Sequence, residues 1–306
     1  MQKLKIKGKW LEYTVDQFFI GITLEELLKD TLSISGRRIQ KLTRSKGLYV
    51  NNKKSYLNKK LKEGDIVKVR IEESVTDKVK PQAMDLDIIY EDEWLLIVNK
   101  PAGLKVYQTN KEDNLTLANG IQYYYEDKGI VSGVHFVHRL DTNTSGAIMI
   151  AKNSYAHHLL AKQLTANQIK RQYLAIVDGE LNELTGTIDL PIAKLASAVN
   201  RRTVHKTGDQ AITNYAVVKQ NKRFAVVEVT LETGKTHQIR VHFSHIGHPL
   251  IGDTLYGGPS NKTISRQALH SHKISWLDFE NMQLRTVVAE IPNDIHELMN
   301  SIDLDS

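Results

Sequence analysis

The chain has 306 residues, 41% apolar and 25% charged, which are ordinary values for a folded protein and enough for one large domain beside a small one. It contains no cysteine, which excludes a disulfide framework, a thiolate nucleophile and cysteine-held zinc, and suits a reducing compartment. The formal net charge of +6 is uneven: residues 1 to 80 hold 19 Lys and Arg against 10 Asp and Glu, and the rest hold 22 against 25.

A basic segment on a near-neutral body points to a polyanionic partner, although lysines that merely solvate a small domain give the same count. Its opening, MQKLKIKGKWLEYTVDQ, is basic without the apolar run of a signal peptide. No stretch of the chain nears the roughly 20 apolar residues of a membrane span. A soluble, cytoplasmic protein with no membrane partner is therefore expected. The stretches GITLEELLKDTL and SGRRIQKLTRSKG read as two short helices, with Leu24, Leu27 and Leu28, then Ile39 and Leu42, as the inward positions and Ser35 as an N-cap. Arg37, Arg38, Lys41 and Arg44 can then crowd one side of the second helix. LYVNN and DIVKVRI read as strands, with Asn51 and Asn52 suited to a tight turn. Residues 12 to 72 resemble the S-four-like RNA-binding module, and the resemblance implies that the basic helix tracks an RNA backbone. EESVTDKVKPQAMD, polar and aperiodic, reads as a linker over residues 73–85. The expected division is thus a module over 1–72, the linker, and a second domain over 86–306.

That second domain alternates short strands and helices. LDIIY and WLLIVNK form a hairpin closed by Pro101 and Gly103; VHFVH and GAIMIAK flank the loop HRLDTNTSG; a helix capped by Asn153 buries Ala156, Leu160 and Leu164. Strands follow at RQYLAIVDG, AITNYAVVKQ, RFAVVEVTL, ALHSHKISW and LRTVVAEI. Short connections favour antiparallel neighbours, so the fold class is α+β, with a mixed, mainly antiparallel sheet and not a doubly wound parallel one.

Asp141 falls in a strand-to-strand loop, where an isolated Asp would simply cap the turn. It has a candidate partner. In LETGKTHQIRVHFSHIGHPLIGDTLYGG a strand gives way to a helix with Ile239, Phe243 and Ile246 on one face and Gly247 as its stop. Arg240 lies in its first turns and can hold a carboxylate ionised and oriented. His237, His242, His245 and His248 do not share a metal-ligand face, and Gly252, Gly257 and Gly258 lack phosphate-cradle spacing, so neither metal nor nucleotide is expected.

The blocks IIYEDEWLLIVNKPAGL, HRLDTNTSG, RQYLAIVDG, LETGKTHQIRVHFSHIGHPLIGDTLYG and ALHSHKISW, in this order, resemble the signature blocks of the RluA-type pseudouridine synthases over residues 85 to 290. The S-four-like module is a frequent companion in that family. The resemblance implies a central cleft and isomerisation of uridine in RNA without cofactor or metal. Asp141 would be the catalytic carboxylate, attacking sugar or base or abstracting a ribose proton. Tyr173 would stack on the target base, Arg240 would pair with Asp141, and Arg139 would fill the gap left by a flipped nucleotide. Lys100, Arg37, Arg38, Lys41 and Arg44 are taken as substrate contacts. Ribosomal RNA is a more natural substrate than transfer RNA, and a monomer is expected. Two other classes compete. An RNA-binding or ribosome-associated factor without catalysis would share the basic module but has no need for Asp141, Tyr173 and Arg240 together. A glycosidase would need a second placed acid, which no motif nominates, Glu232 and Asp253 being the carboxylates left open.

Overall fold

The computed structural model describes residues 4–71, 79–108, 115–195 and 201–304. The first part of the chain supplies β1 (Leu4–Lys7), β2 (Trp10–Thr14), α1 (Leu24–Glu26), α2 (Gly36–Arg44), β3 (Leu48–Val50), β4 (Lys53–Lys54) and β5 (Ile66–Arg70). Its five strands form one antiparallel sheet in the order β1-β2-β5-β3-β4. Local chemistry sets the helix starts. Thr23 and Glu26 make a reciprocal capping box on α1, which runs on as a π-type turn over Leu27–Thr31. The Ser35 hydroxyl caps α2, turning Ile39 and Leu42 into the core. Asn51 and Asn52 both take the positive φ that the β3–β4 turn needs.

Of the expected linker, residues 73–78 lie outside the described residues. Residues 79–87 carry no regular element, yet they are not a free tether. The Asn119 side chain donates to the Lys80 carbonyl at 2.8 Å, and Met84 and Leu86 pack where Gly120 leaves room. Asn119 and Gly120 belong to a helix that the sequence reading passed over.

The remaining elements are β6 (Ile88–Glu91), β7 (Leu95–Lys100), α3 (Leu117–Asp127), β8 (His135–Phe136), β9 (Ser145–Ala151), α4 (Ser154–Thr165), β10 (Lys170–Asp178), β11 (Thr185–Asp189), β12 (Ile192–Lys194), β13 (Arg202–Val204), β14 (Ile212–Gln220), β15 (Phe224–Leu231), α5 (Gln238–His245), β16 (Leu269–Leu277), β17 (Leu284–Val288) and α6 (Asn293–Leu304). A ten-stranded sheet runs β11-β14-β15-β10-β16-β9-β7-β6, with β17 added to β16 and β8 to β9. Every described pair in it is antiparallel except β9 with β16. The fold is the mixed, mainly antiparallel α+β sheet expected from the short connections.

The middle of this sheet is covered on both sides, which is why β9 reads as an unbroken apolar run. Ala147, Met149 and Ala151 join one core, while Ile148 and Ile150 join another on the opposite face. The first core takes in α4 and continues without a break into the N-terminal sheet. Two polar contacts sit on that junction: the Tyr155 hydroxyl donates to the Leu32 carbonyl at 2.8 Å, and the Lys162 ammonium to the Ser33 hydroxyl at 2.9 Å. The second core lies under α3 and α5 and includes Tyr173 of β10. Among the described residues no helix is long and apolar enough to cross a membrane.

Candidate active site

The loop of residues 138–146 is held by its backbone. Lys100, at the end of β7, is fully buried, and its ammonium donates to the carbonyls of Pro101 at 2.7 Å, Leu104 at 3.0 Å and Thr142 at 2.9 Å. Burial pulls its pKa down to about 7, with Arg266 acting the same way and Asp141 opposing. A lysine spent on three carbonyls inside the protein does not reach RNA. The expected substrate contact at Lys100 is therefore corrected: this residue ties the turn after β7 to the loop after Asp141.

Other anchors come from far along the chain. The Arg266 guanidinium donates to the Asn143 carbonyl at 3.0 Å while Asp294 holds its other edge, and Gln267 reaches the Thr144 hydroxyl at 3.2 Å. Gly146 closes the loop at φ 110° beside β16; a Cβ there would lie 2.3 Å from the Ser271 carbonyl oxygen, so no larger residue fits. The loop thus presents Asp141 with its backbone fixed on both sides.

The opposite wall is the start of α5. Gln238 takes the Lys235 N–H on its side-chain oxygen at 2.9 Å and donates to the Ile212 carbonyl at 3.0 Å, which anchors the first turn to β14. His237, just before the helix, has φ 60°, the left-handed region. Arg240 follows one turn in. Its Nη1 donates to Asp141 Oδ2 at 3.0 Å, and its Nε and Nη2 form a two-bond pair with Asp253 at 2.7 and 2.8 Å. The Tyr256 ring lies 5.0 Å from the guanidinium carbon. Burial works against the charge on Arg240, but hydrogen bonds and the two carboxylates outweigh it and raise its pKa above the usual arginine value. Asp253, weighed above as a possible second acid, is 2% exposed and fully engaged in fixing Arg240.

Between these walls lies a cleft of about 810 Å³, lined among others by Arg139, Asp141, Arg171, Tyr173, His237 and Arg240. Tyr173 projects from β10 and is 4% exposed; burial raises its phenol pKa, and the Asp141 charge adds to this. Arg139 is exposed at the rim and makes no ion pair among the described residues. Asp141 keeps its Oδ1 free of hydrogen bonds among the described residues, while Oδ2 meets Arg240 and lies 3.7 Å from His237 Nε2. A carboxylate with one oxygen clamped and one oxygen open can serve as a nucleophile or a base.

The basic residues of α2 do not line this cleft. Arg37, Lys41 and Arg44 are exposed along one side of α2 and border a shallow groove there. Arg38 has a second engagement. It borders the same groove, but it is half-buried and donates to the carbonyls of Arg70 and Ile71, so it also clamps the helix to the end of β5. Sequence reasoning weighed His237 only as a metal ligand, rejected that, and gave it no other role; it gave none to Tyr256 or Arg171 either. All three lie within the quoted THQIR, GDTLYG and RQYLAIVDG blocks, so the signal was present without a role attached.

A protein-family profile described as RNA pseudouridylate synthase matches residues 94–245, and one described as RluD ribosomal pseudouridine synthase N-terminal domain matches residues 4–67. An uncharacterised RNA pseudouridine synthase of Bacillus subtilis is 40% identical over 294 residues, covering 95% of this chain and 97% of that protein. The chain belongs to the RNA pseudouridine synthases. Among its relatives in this family, the ribosomal large subunit pseudouridine synthase D of Yersinia pestis is 33% identical over 314 residues, covering 97% of this chain and 95% of that one. A solved structure, human RNA pseudouridylate synthase domain containing 4, superposes with a TM-score of 0.61 at 21% identity, over 71% of this chain and 92% of that one. At that identity the likeness speaks for the shared fold.

Proposed function

We propose that this pseudouridine synthase acts on ribosomal RNA, with Asp141 as the reacting carboxylate, Arg240 as its partner and Tyr173 as the platform for the target base. The observation that carries the reading is the open Oδ1 of Asp141 in the cleft, its Oδ2 clamped by Arg240 at 3.0 Å. Relatives named for the large ribosomal subunit favour ribosomal over transfer RNA.

The reaction conserves all atoms. The bond from ribose C1′ to uracil N1 breaks with its electron pair going to the ring, the base turns while held, and C5 joins C1′. The C5 proton is lost and N1 takes one up. Attack of Oδ1 on sugar or base, or removal of a ribose proton, each requires a carboxylate, which the Arg240 guanidinium holds in place through Oδ2. The uridine must leave its stack to turn over, which suits an exposed Arg139 at the rim that can take the vacated space. Residues 1–72 then form the RNA-capturing unit, with Arg37, Lys41 and Arg44 on backbone phosphates, and residues 86–306 the catalytic unit beyond the 73–85 linker. The enzyme works as a monomer in the cytoplasm.

The test is Asp141→Asn on a large-subunit ribosomal RNA transcript carrying tritium at uridine C5, whose release reports the new bond. The amide keeps the size and loses the charge, so release should stop while RNA binding survives. Full turnover by the folded variant would reject the assignment.

A further inference from the structure

We propose that His237 is a positioning residue for Asp141: held neutral with its proton on Nε2, it faces Oδ2 beside Arg240 and leaves Oδ1 as the reacting oxygen. This deepens the proposed function and rests on it. The argument begins at Tyr256. Its hydroxyl oxygen accepts the Arg202 backbone N–H at 2.9 Å and lies 2.8 Å from His237 Nδ1. A phenol has one proton to give, and the imidazole nitrogen is its one acceptor among the described residues. Nδ1 is therefore the accepting nitrogen, and the ring proton sits on Nε2, on the side of Asp141.

The opposite tautomer would leave the phenol proton without a partner and aim an Nε2 lone pair at a carboxylate. Burial lowers the His237 pKa, as do Arg240 and Arg202, against Asp141 and Asp253, which keeps the ring uncharged. A neutral ring matters, because a second full cation on Oδ2 would sap the nucleophilicity of the carboxylate. The contact of 3.7 Å is longer than a hydrogen bond, as catalytic contacts often are before substrate arrives. Backbone strain agrees with a placed side chain. His237 is neither Gly nor Asn yet sits at φ 60°, in the left-handed region, and is held there by the Gln238 anchors. Tyr256 thereby serves both partners of Asp141, stacking on Arg240 and orienting His237.

Two amide variants separate positioning from packing. A glutamine places its amide nitrogen near the Nε2 position, whereas an asparagine reaches only the Nδ1 position, bonds Tyr256 and tolerates positive φ. Single-turnover tritium release at saturating transcript should be nearly preserved in His237→Gln and fall roughly 10- to 100-fold in His237→Asn, with transcript affinity within about twofold of the parent in both. Asparagine equal to or better than glutamine would overturn the proposal. The wild-type protein gives an independent reading: nitrogen-15 spectra of its histidines should show His237 protonated on Nε2, shifting toward a tautomer mixture in Tyr256→Phe. A proton on Nδ1 in the wild type would also overturn it. Absence of turnover in the wild type would instead reject the function on which it rests.

Discussion

At the scale of single residues, the site turns on a guanidinium shared by two carboxylates. Arg240 gives two of its bonds to the buried Asp253 and one to Asp141, so Asp253 fixes the angle at which Asp141 is met. Lysine carries the same charge on a point and cannot hold that fork. Arg240→Lys should therefore lower the single-turnover rate by about 100-fold, since a misplacement near 1 Å costs that much, whereas Arg285→Lys on the surface pair with Asp278 should leave it unchanged. Equal losses in the two variants would reject the pairing. The contact of Asp141 with Arg240 was legible in the sequence through the resemblance of HRLDTNTSG and THQIR to the family's signature blocks, since a turn aspartate alone would read as a cap. Lys100 was not. NKPAGL reads as a polar turn, and only the fold shows three carbonyls converging on a buried ammonium.

Among the elements, the parallel contact of β9 with β16 is the hinge of the design. Gly146 and Ser271 pair there with no room for a side chain. Gly146→Ala should destabilise the protein by on the order of 3 kcal/mol, read as a lowered urea midpoint, and should reduce turnover further by displacing the Asp141 loop. Two histidines flank this contact in the neutral form. His138 accepts the Met149 N–H, and burial lowers its pKa to about 3; His270 meets the Ser145 hydroxyl, and burial lowers its pKa to about 4. Unfolded histidine titrates near 6.5. Between that value and the folded ones the unfolded chain binds more protons, so stability is full above about pH 6.5 and falls as the solution is acidified toward 4. Urea midpoints across this window should drop, and less steeply in His270→Asn; a flat profile would contradict the buried neutral rings. Element types followed from pattern at most places, since β7, β9, β10 and β15 are apolar runs bounded by turns. α3 was missed because its buried face includes Asn119, Gly120 and Gln122, which do not read as an apolar stripe.

Over the whole molecule, charge and chemistry are divided between two sheets that share one core. The docking of Tyr155 and Lys162 onto residues 32 and 33 means that removing the first sheet would strip apolar cover from α4. Reversing charge on the exposed face is the cleaner test. The triple variant R37E/K41E/R44E keeps the core intact, because all three side chains are exposed. It should weaken RNA binding and reduce the slope of log affinity against log salt by about 2 to 3, while the saturated single-turnover rate persists. An unchanged slope would show that this face solvates the module and does not meet RNA. The basic excess was visible from composition, but its sorting was not. Arg38 borders the same groove as Arg37, Lys41 and Arg44, yet it alone of the four is half-buried and donates to carbonyls at the end of β5.

The Asp141 loop is short, but the groups that hold it are not local. Arg266 and Gln267 grip residues 143 and 144, Ser271 backs Gly146, and Arg240 with Asp253 clamps the carboxylate. A growing polypeptide emerging from a ribosome has made the Asp141 loop long before it has made these partners. Until about 130 further residues have been added, Asp141 is an ordinary turn aspartate. The partners that fix the loop are therefore completed only late in synthesis, after α5, the Arg266–Gln267 segment and β16 have all been added.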